Sequence, residues 1–151
     1  MHLFILRHGR AEPYRGDDAS RELVASGRKD VHSIVQRQKS YLNDVAIWSS
    51  PYVRALQTAE IAAHCLGLPT SPDCITANLT PDASVQKLLR EIYQSELTSL
   101  LIVSHQPLVG DLLQALCTQA QPSPMKTASM AGLTLEIAAA DFGQLDWLVH
   151  P

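Results

Sequence analysis

Leu3-Phe4-Ile5-Leu6-Arg7-His8-Gly9 is the stretch on which the reading of this chain turns. Leu3 to Leu6 reads as a buried strand. A cation, an imidazole and a glycine follow with no spacer. The cation can hold an anion, the imidazole can attack it, and the glycine lets backbone come close without a side chain in the way. Two distant segments carry matching parts: Ser49-Ser50-Pro51-Tyr52-Val53-Arg54-Ala55-Leu56-Gln57-Thr58-Ala59 and Ser104-His105-Gln106-Pro107. Arg7, His8, Arg54 and His105 together make a set suited to phosphoryl transfer through a phosphohistidine.

Outward from this stretch, strands and helices alternate. The first strand covers about His2 to Leu6, and a charged loop with Pro13 and Gly16 follows from Arg10 to Arg21. A helix is predicted from about Gly27 to Leu42, with Val31, Ile34, Val35 and Leu42 on one face. Val45 to Trp48 is a second buried strand. Ser50-Pro51 reads as a helix start, with Ser50 as N-cap and Pro51 at the first helical position. That helix runs to Leu66 and stops at Gly67. Ser71 to Ala77 holds a short third strand at most. Thr80-Pro81-Asp82 opens another helix, with Val85, Leu88, Leu89 and Ile92 as its apolar stripe. Leu100 to Val103 is apolar throughout, as a parallel strand covered on both faces should be. Pro107 to Leu116 reads as helix and 118–129 as a polar loop. Leu133 to Ile137 and Leu145 to Val149 are the last strands, joined through Asp141-Phe142-Gly143 as a hairpin.

This order predicts an α/β fold: a three-layer αβα sandwich, its sheet mostly parallel with antiparallel C-terminal strands. The carboxyl ends of parallel strands share one edge, so His8, Arg54 and His105 can converge although they are far apart in sequence.

Composition bounds the rest. The 151 residues, 46% of them hydrophobic, suffice for one core, and a single domain over 1–151 is expected. The net charge of −3 argues against a nucleic-acid binder and requires any anion site to be local, built from a few placed Arg. Cys65, Cys74 and Cys117 are odd in number and unpatterned, which suits free thiols in a reducing compartment. The first apolar run is too short for a signal peptide, and no stretch approaches membrane-spanning length. A cytoplasmic protein without nucleic-acid or membrane partners is expected. His2 and His150 lie near the ends, and His32 and His64 lie within predicted helices at half-exposed positions. No HExxH, CxxC or His-x-His accompanies the paired His, so neither a metal nor another cofactor is expected.

Taken together, Leu6-Arg7-His8-Gly9, Ser50-Pro51 with Arg54-Ala55 and Gln57-Thr58, Leu79-Thr80-Pro81, and Ser104-His105 with Pro107-Leu108-Val109-Gly110 resemble the histidine phosphatase superfamily, with its phosphoglycerate-mutase-like fold. The chain is most similar to the small SixA-type phosphohistidine phosphatases, and the resemblance spans nearly its whole length. Arg-His-Gly alone is a weak signal. Joined to the Ser-Pro-x-x-Arg-Ala-x-Gln-Thr block and the late Ser-His, it is specific.

The resemblance implies that His8 is the nucleophile, that Arg7 and Arg54 grip phosphoryl oxygens, and that His105 donates a hydrogen bond to the transferring group. It implies as partner a phosphorylated histidine-containing phosphotransfer protein or domain of a two-component relay, with inorganic phosphate as product. Many relatives carry Leu-Thr-x-x-Gly where this chain has Leu23-Val24-Ala25-Ser26-Gly27. Val24 cannot cap a helix, and Ser26 is expected to cap it instead. Relatives that cleave phosphate esters use an acidic side chain to protonate the leaving alkoxide. Asp82, with Glu91 further on, is the candidate here, although a first-turn helix position equally explains Asp82. A phosphohistidine substrate needs less help, because imidazole leaves far better than an alkoxide. The absence of a long insertion to roof the site points the same way. Arg10, Arg15 and Lys126 lie in loops that can flank the pocket or simply carry surface charge. A small-molecule phosphomonoesterase and a phosphoprotein-binding module without turnover are the two alternative readings.

Overall fold

The chain is described by a computed structural model covering residues 1–117 and 124–151. Strand β1, His2–Arg7, buries Leu3, Phe4, Ile5 and Leu6 almost completely. It is followed by helix α1, Ala25–Gln38, strand β2, Ala46–Ser49, and helix α2, Val53–Leu66. Strand β3 is only Cys74–Ile75. Helix α3 spans Val85–Gln94, strand β4 Ser99–Ser104, helix α4 Leu108–Leu116, and strands β5 and β6 Met130–Leu135 and Gly143–Val149. The six strands form one sheet in the order β3-β2-β4-β1-β5-β6. β1, β2, β3 and β4 run parallel, and β5 lies antiparallel to both β1 and β6.

Side-chain alternation along the strands divides the core into two layers. Leu3, Ile5, Leu100 and Ile102 face α3 and α4, where Leu88, Ile92, Leu108 and Leu112 pack. Phe4, Leu6, Leu101 and Val103 face α1 and α2, where Val31, Ile34, Ala55, Ala59 and Ala62 pack. Helices on both faces are what make β1 and β4 continuous apolar runs. This is the predicted αβα sandwich.

Several predicted boundaries move, each for a local reason. α1 begins at Ala25 with Val24 in the N-cap position and no side-chain cap. Ser26, expected as cap, is an exposed residue inside the helix. The C-terminal end tightens into a 3-10 turn at Lys39–Tyr41, short of Leu42. α2 starts three residues after Ser50, with Tyr52 rather than Ser50 in the cap position; the Ser50 hydroxyl accepts from Tyr52 N, ahead of the helix. The α2 end at Gly67 is as predicted: its φ of 76° is the left-handed conformation glycine tolerates best. α3 opens at Val85 under a Ser84 cap, leaving Thr80-Pro81-Asp82 in the turn ahead of it. β5 begins at Met130 and ends at Leu135, earlier than Leu133 to Ile137, since its partner residues on β1 run from His2 to Leu6. Of the loop 118–129, residues 118–123 lie outside the described residues; Met125, Ala128 and Ser129 are buried rather than solvated. Among the described residues no helix is long and apolar enough to cross a membrane.

Gly27 is where the first helix meets the loop after β1. A Cβ there would stand 2.2 Å from Arg10 O and 2.6 Å from Arg10 N, both backbone atoms with no room to swing aside. Gly27→Ala is therefore expected to lower stability by about 1–3 kcal/mol through overpacking. A urea midpoint equal to wild type would contradict this contact.

Candidate active site

Parallel pairing sets the ends of β1, β2 and β4 side by side. Arg7 lies opposite Ser104, and Ser49 opposite Val103. The chain leaves each strand in step: His8 N donates to Ser104 O at 3.0 Å, and Ser50 N to Val103 O at 3.1 Å. Arg7-His8, Ser49-Ser50 and Ser104-His105 thus stand along one sheet edge. α2 brings Arg54 to them as its second residue. A pocket of about 550 Å³ opens here. Arg7, His8, Arg54 and His105 line it together with Arg10, Ala11, Asp18 and Arg21 of the first loop, and Pro81, Gln106 and Thr127.

His8 is buried, and its Nδ1 lies 2.7 Å from Gly9 O. A carbonyl can only accept, so this contact assigns the proton to Nδ1 and leaves a lone pair on Nε2. Arg54 Nε donates to that nitrogen at 3.2 Å. Burial lowers the His8 pKa to about 4, and Arg54, Arg7 and Arg21 act in the same direction while the Gly9 carbonyl opposes them. At neutral pH His8 is a neutral imidazole with an acceptor lone pair on Nε2.

His105 is 1% exposed, with its ring centroid 4.9 Å from that of His8. Burial first, then His8 and Arg54, lower its pKa to about 2, so it too is neutral. Its Nε2 is 2.8 Å from Ser50 Oγ. Ser50 Oγ accepts from Tyr52 N, and its own proton is free to go to His105 Nε2. In that arrangement His105 Nδ1 carries a proton as a donor. Among the described residues Nδ1 is buried without a partner, and so is Arg7 Nε. Arg7 Nη1 donates to Met125 O at 2.7 Å, so the loop after α4 holds the guanidinium from behind. Burial, then Arg54, lowers the Arg7 pKa, which is the situation an anion beside it would relieve. Two unpartnered buried nitrogens on residues lining one pocket mark a place for acceptor oxygens.

The Gln-Thr of the second segment braces the site. Thr58 Oγ1 accepts from Gly9 N at 3.2 Å and donates to Arg54 O at 2.7 Å. Gln57 Oε1 accepts from Leu23 N at 2.7 Å, tying the first loop to α2.

The parts played by Asp18, Arg21 and Ser50 are among those that escape the sequence reading. Asp18 Oδ2 accepts from Arg54 Nη2 at 2.9 Å, and Asp18 Oδ1 from Arg21 Nη1 at 2.7 Å. Hydrogen bonds from Arg21, then Arg54, hold the Asp18 carboxyl below its ordinary pKa against partial burial. Ser50 reads in sequence as a helix cap, and its bond to His105 is invisible there. The sole hint of Asp18 and Arg21 is the charge density of the loop following Arg-His-Gly. Asp82 is exposed and does not line the pocket, although its neighbour Pro81 does. Glu91 accepts from Thr76 Oγ1 and Asn78 Nδ2, bracing the turn before α3. Arg10 lines the pocket, whereas Arg15 and Lys126 are exposed and do not. His32 and His64 line a separate groove between α1 and α2.

Residues 3–74 match the model of the histidine phosphatase superfamily, branch 1. The phosphohistidine phosphatase SixA of Escherichia coli is 32% identical over an alignment that takes in 100% of this chain and 94% of that one. A SixA homolog of Haemophilus influenzae is 33% identical, covering 88% and 87%. The structure of the protein histidine phosphatase SixA complexed with tungstate superposes with a TM-score of 0.88 at 30% identity, over 100% of this chain and 97% of the other. With this relatedness over its full length, and with the two His and two Arg of its motifs meeting in one pocket, the chain belongs to the histidine phosphatase superfamily.

Proposed function

We propose that this protein is a phosphohistidine phosphatase that removes the phosphoryl group from a phospho-His displayed on a histidine-containing phosphotransfer domain. One observation carries the reading: a neutral His8 whose Nε2 lone pair accepts from Arg54 Nε at the edge of an arginine-rich pocket, whose lining among the described residues holds one carboxylate, Asp18, kept deprotonated by two Arg. The pocket can bind and attack a phosphoryl group. Among the described residues its lining holds no carboxylic acid ready to protonate an alkoxide. That combination favours a substrate whose leaving group is an imidazole. The relatives named phosphohistidine phosphatase support the same choice, and the tungstate complex of the SixA protein supports an oxyanion site.

In this mechanism His8 Nε2 attacks phosphorus in line with the departing imidazole. The new P–N bond forms on Nε2 as the substrate P–N bond breaks; the electron pair leaves on the substrate nitrogen, and with the other ring nitrogen protonated the leaving group is neutral imidazole. Arg7 and Arg54 hold the phosphoryl oxygens with their planar forks. His105 Nδ1–H donates to the same group and stabilises its charge in the transition state. Water then hydrolyses phospho-His8, releasing inorganic phosphate and restoring the lone pair. The partner offers an exposed phospho-His within a cytoplasmic two-component relay. The deciding experiment compares turnover of a phosphorylated phosphotransfer domain with a panel of phosphate monoesters, without added metal. Preference for the esters would overturn the substrate assignment.

Three outcomes follow for this mechanism. His8→Ala is expected to fold, by circular dichroism, and to retain no more than about 10⁻³ of wild-type turnover. Rapid quench of the wild type with labelled substrate should trap an acid-labile, base-stable phosphoprotein that the variant lacks. The acid limb of kcat/KM reports the free enzyme. Because the folded environment lowers the His8 pKa, that limb should fall near about pH 4 rather than near 6.5. An activated aryl phosphate, corrected for its own ionisation, serves as substrate there. Finally, Asp82→Asn should leave phosphohistidine turnover within a few-fold of wild type. A loss of about 10²-fold would make Asp82 the general acid after all.

A further inference from the structure

Arg54 is held at both ends. Its Nε donates to the His8 lone pair at 3.2 Å. Its other two nitrogens both go to Asp18: Nη1 to the backbone carbonyl and Nη2 to Oδ2 at 2.9 Å. Asp18 thus grips the far end of the guanidinium with two acceptors from one residue. The grip is itself anchored. Arg21 Nη1 takes the second carboxylate oxygen at 2.7 Å, and Arg21 Nε donates to Glu12 O at 2.6 Å. The neighbouring Ala19 O accepts from Val53 N, the first residue of α2, at 2.9 Å. The Tyr52 ring lies 5.0 Å from the guanidinium carbon.

A planar fork is useful only if its orientation is fixed, and a misplacement of about 1 Å can cost on the order of 10²-fold in rate. We infer that Asp18 is a positioning residue: backed by Arg21, it fixes the Arg54 fork so that the edge beside His8 Nε2 faces the phosphoryl group in the transition state. The assignment rests on the reading of Arg54 as a phosphoryl ligand.

Asp18 has two opposing effects on an anion in the pocket. Its negative charge disfavours any bound phosphate. Its grip on Arg54 favours the one geometry that the transition state needs. Removing it therefore separates ground-state from transition-state binding, which loss of general structure does not do.

The test uses the full chain carrying Asp18→Ala or Asp18→Asn. Asp18→Ala should lower kcat about 10- to 100-fold and weaken inhibition by vanadate, a trigonal-bipyramidal mimic, by a similar factor. Inhibition by inorganic phosphate should stay equal or become tighter. Asp18→Asn keeps an acceptor for Nη2 and should recover much of the loss. In an Arg54→Lys background, which has no fork to orient, Asp18→Ala should have little further effect. If Asp18→Ala leaves kcat intact while both anions bind more tightly, Asp18 is a competitor for Arg54 and the inference fails. It also fails if phosphate and vanadate weaken together, or if the two substitutions add in full. If Arg54→Lys alone leaves turnover and anion binding unchanged, the phosphoryl-site reading itself is what falls.

Discussion

The in-register parallel pairing of β1 with β4 is the constraint on which the other features depend. It places Arg7 opposite Ser104, so the residues that follow each strand, His8 and His105, emerge as neighbours. β2 adds Ser50 from the other side of β4. No loop has to bring these groups together. The sheet edge does so once the core has chosen the register, and the core has little freedom: a shift by one residue would turn Leu3 and Ile5 away from α3 and α4.

Burial then supplies the chemistry. Ordinary histidines would be partly charged near neutral pH, but here both are enclosed among arginines, and both stay neutral. The arginines are a different case. Arg54 is 3% exposed and can be so because Asp18 pairs with it. Arg7 is half-buried; its Nη1 donates to Met125 O, and among the described residues its buried Nε has no partner. Buried positive charge without a full complement of partners is costly. The fold alone does not choose among phosphoryl substrates; the protonation states of His8, His105 and Asp18 bear on that choice.

Most of the sheet was legible from residue pattern. Leu3 to Leu6 and Leu100 to Val103 are apolar because helices cover both faces, and that pattern survives in the linear sequence. Gly67 marked the end of α2 for a reason confined to its own backbone. Helix starts were less legible. Ser50 and Ser26 both have the chemistry of a cap, and neither caps. Ser50 lies ahead of α2, its hydroxyl shared between Tyr52 N and His105, 55 residues downstream, and Ser26 sits one residue inside a helix that begins without a side-chain cap. Local propensity names the residues able to cap a helix; tertiary contacts decide which of them do.

The amino-acid sequence by itself determined the strand-helix alternation, the place of Arg7, His8, Arg54 and His105 at the ends or starts of elements, and membership of the family whose motifs they form. The alternation resides in contiguous residues, so hydrophobic pattern reveals it; the family membership was legible only through the resemblance of its motifs. The tertiary structure alone decided that Asp18 holds Arg54, that Ser50 holds His105, that Met125 backs Arg7, and that Asp82 stays outside the pocket. Each of those depends on how a loop lies across a sheet edge. A loop has no side-chain periodicity from which its course could be read, and its hydrogen bonds are made to whatever the packed core presents.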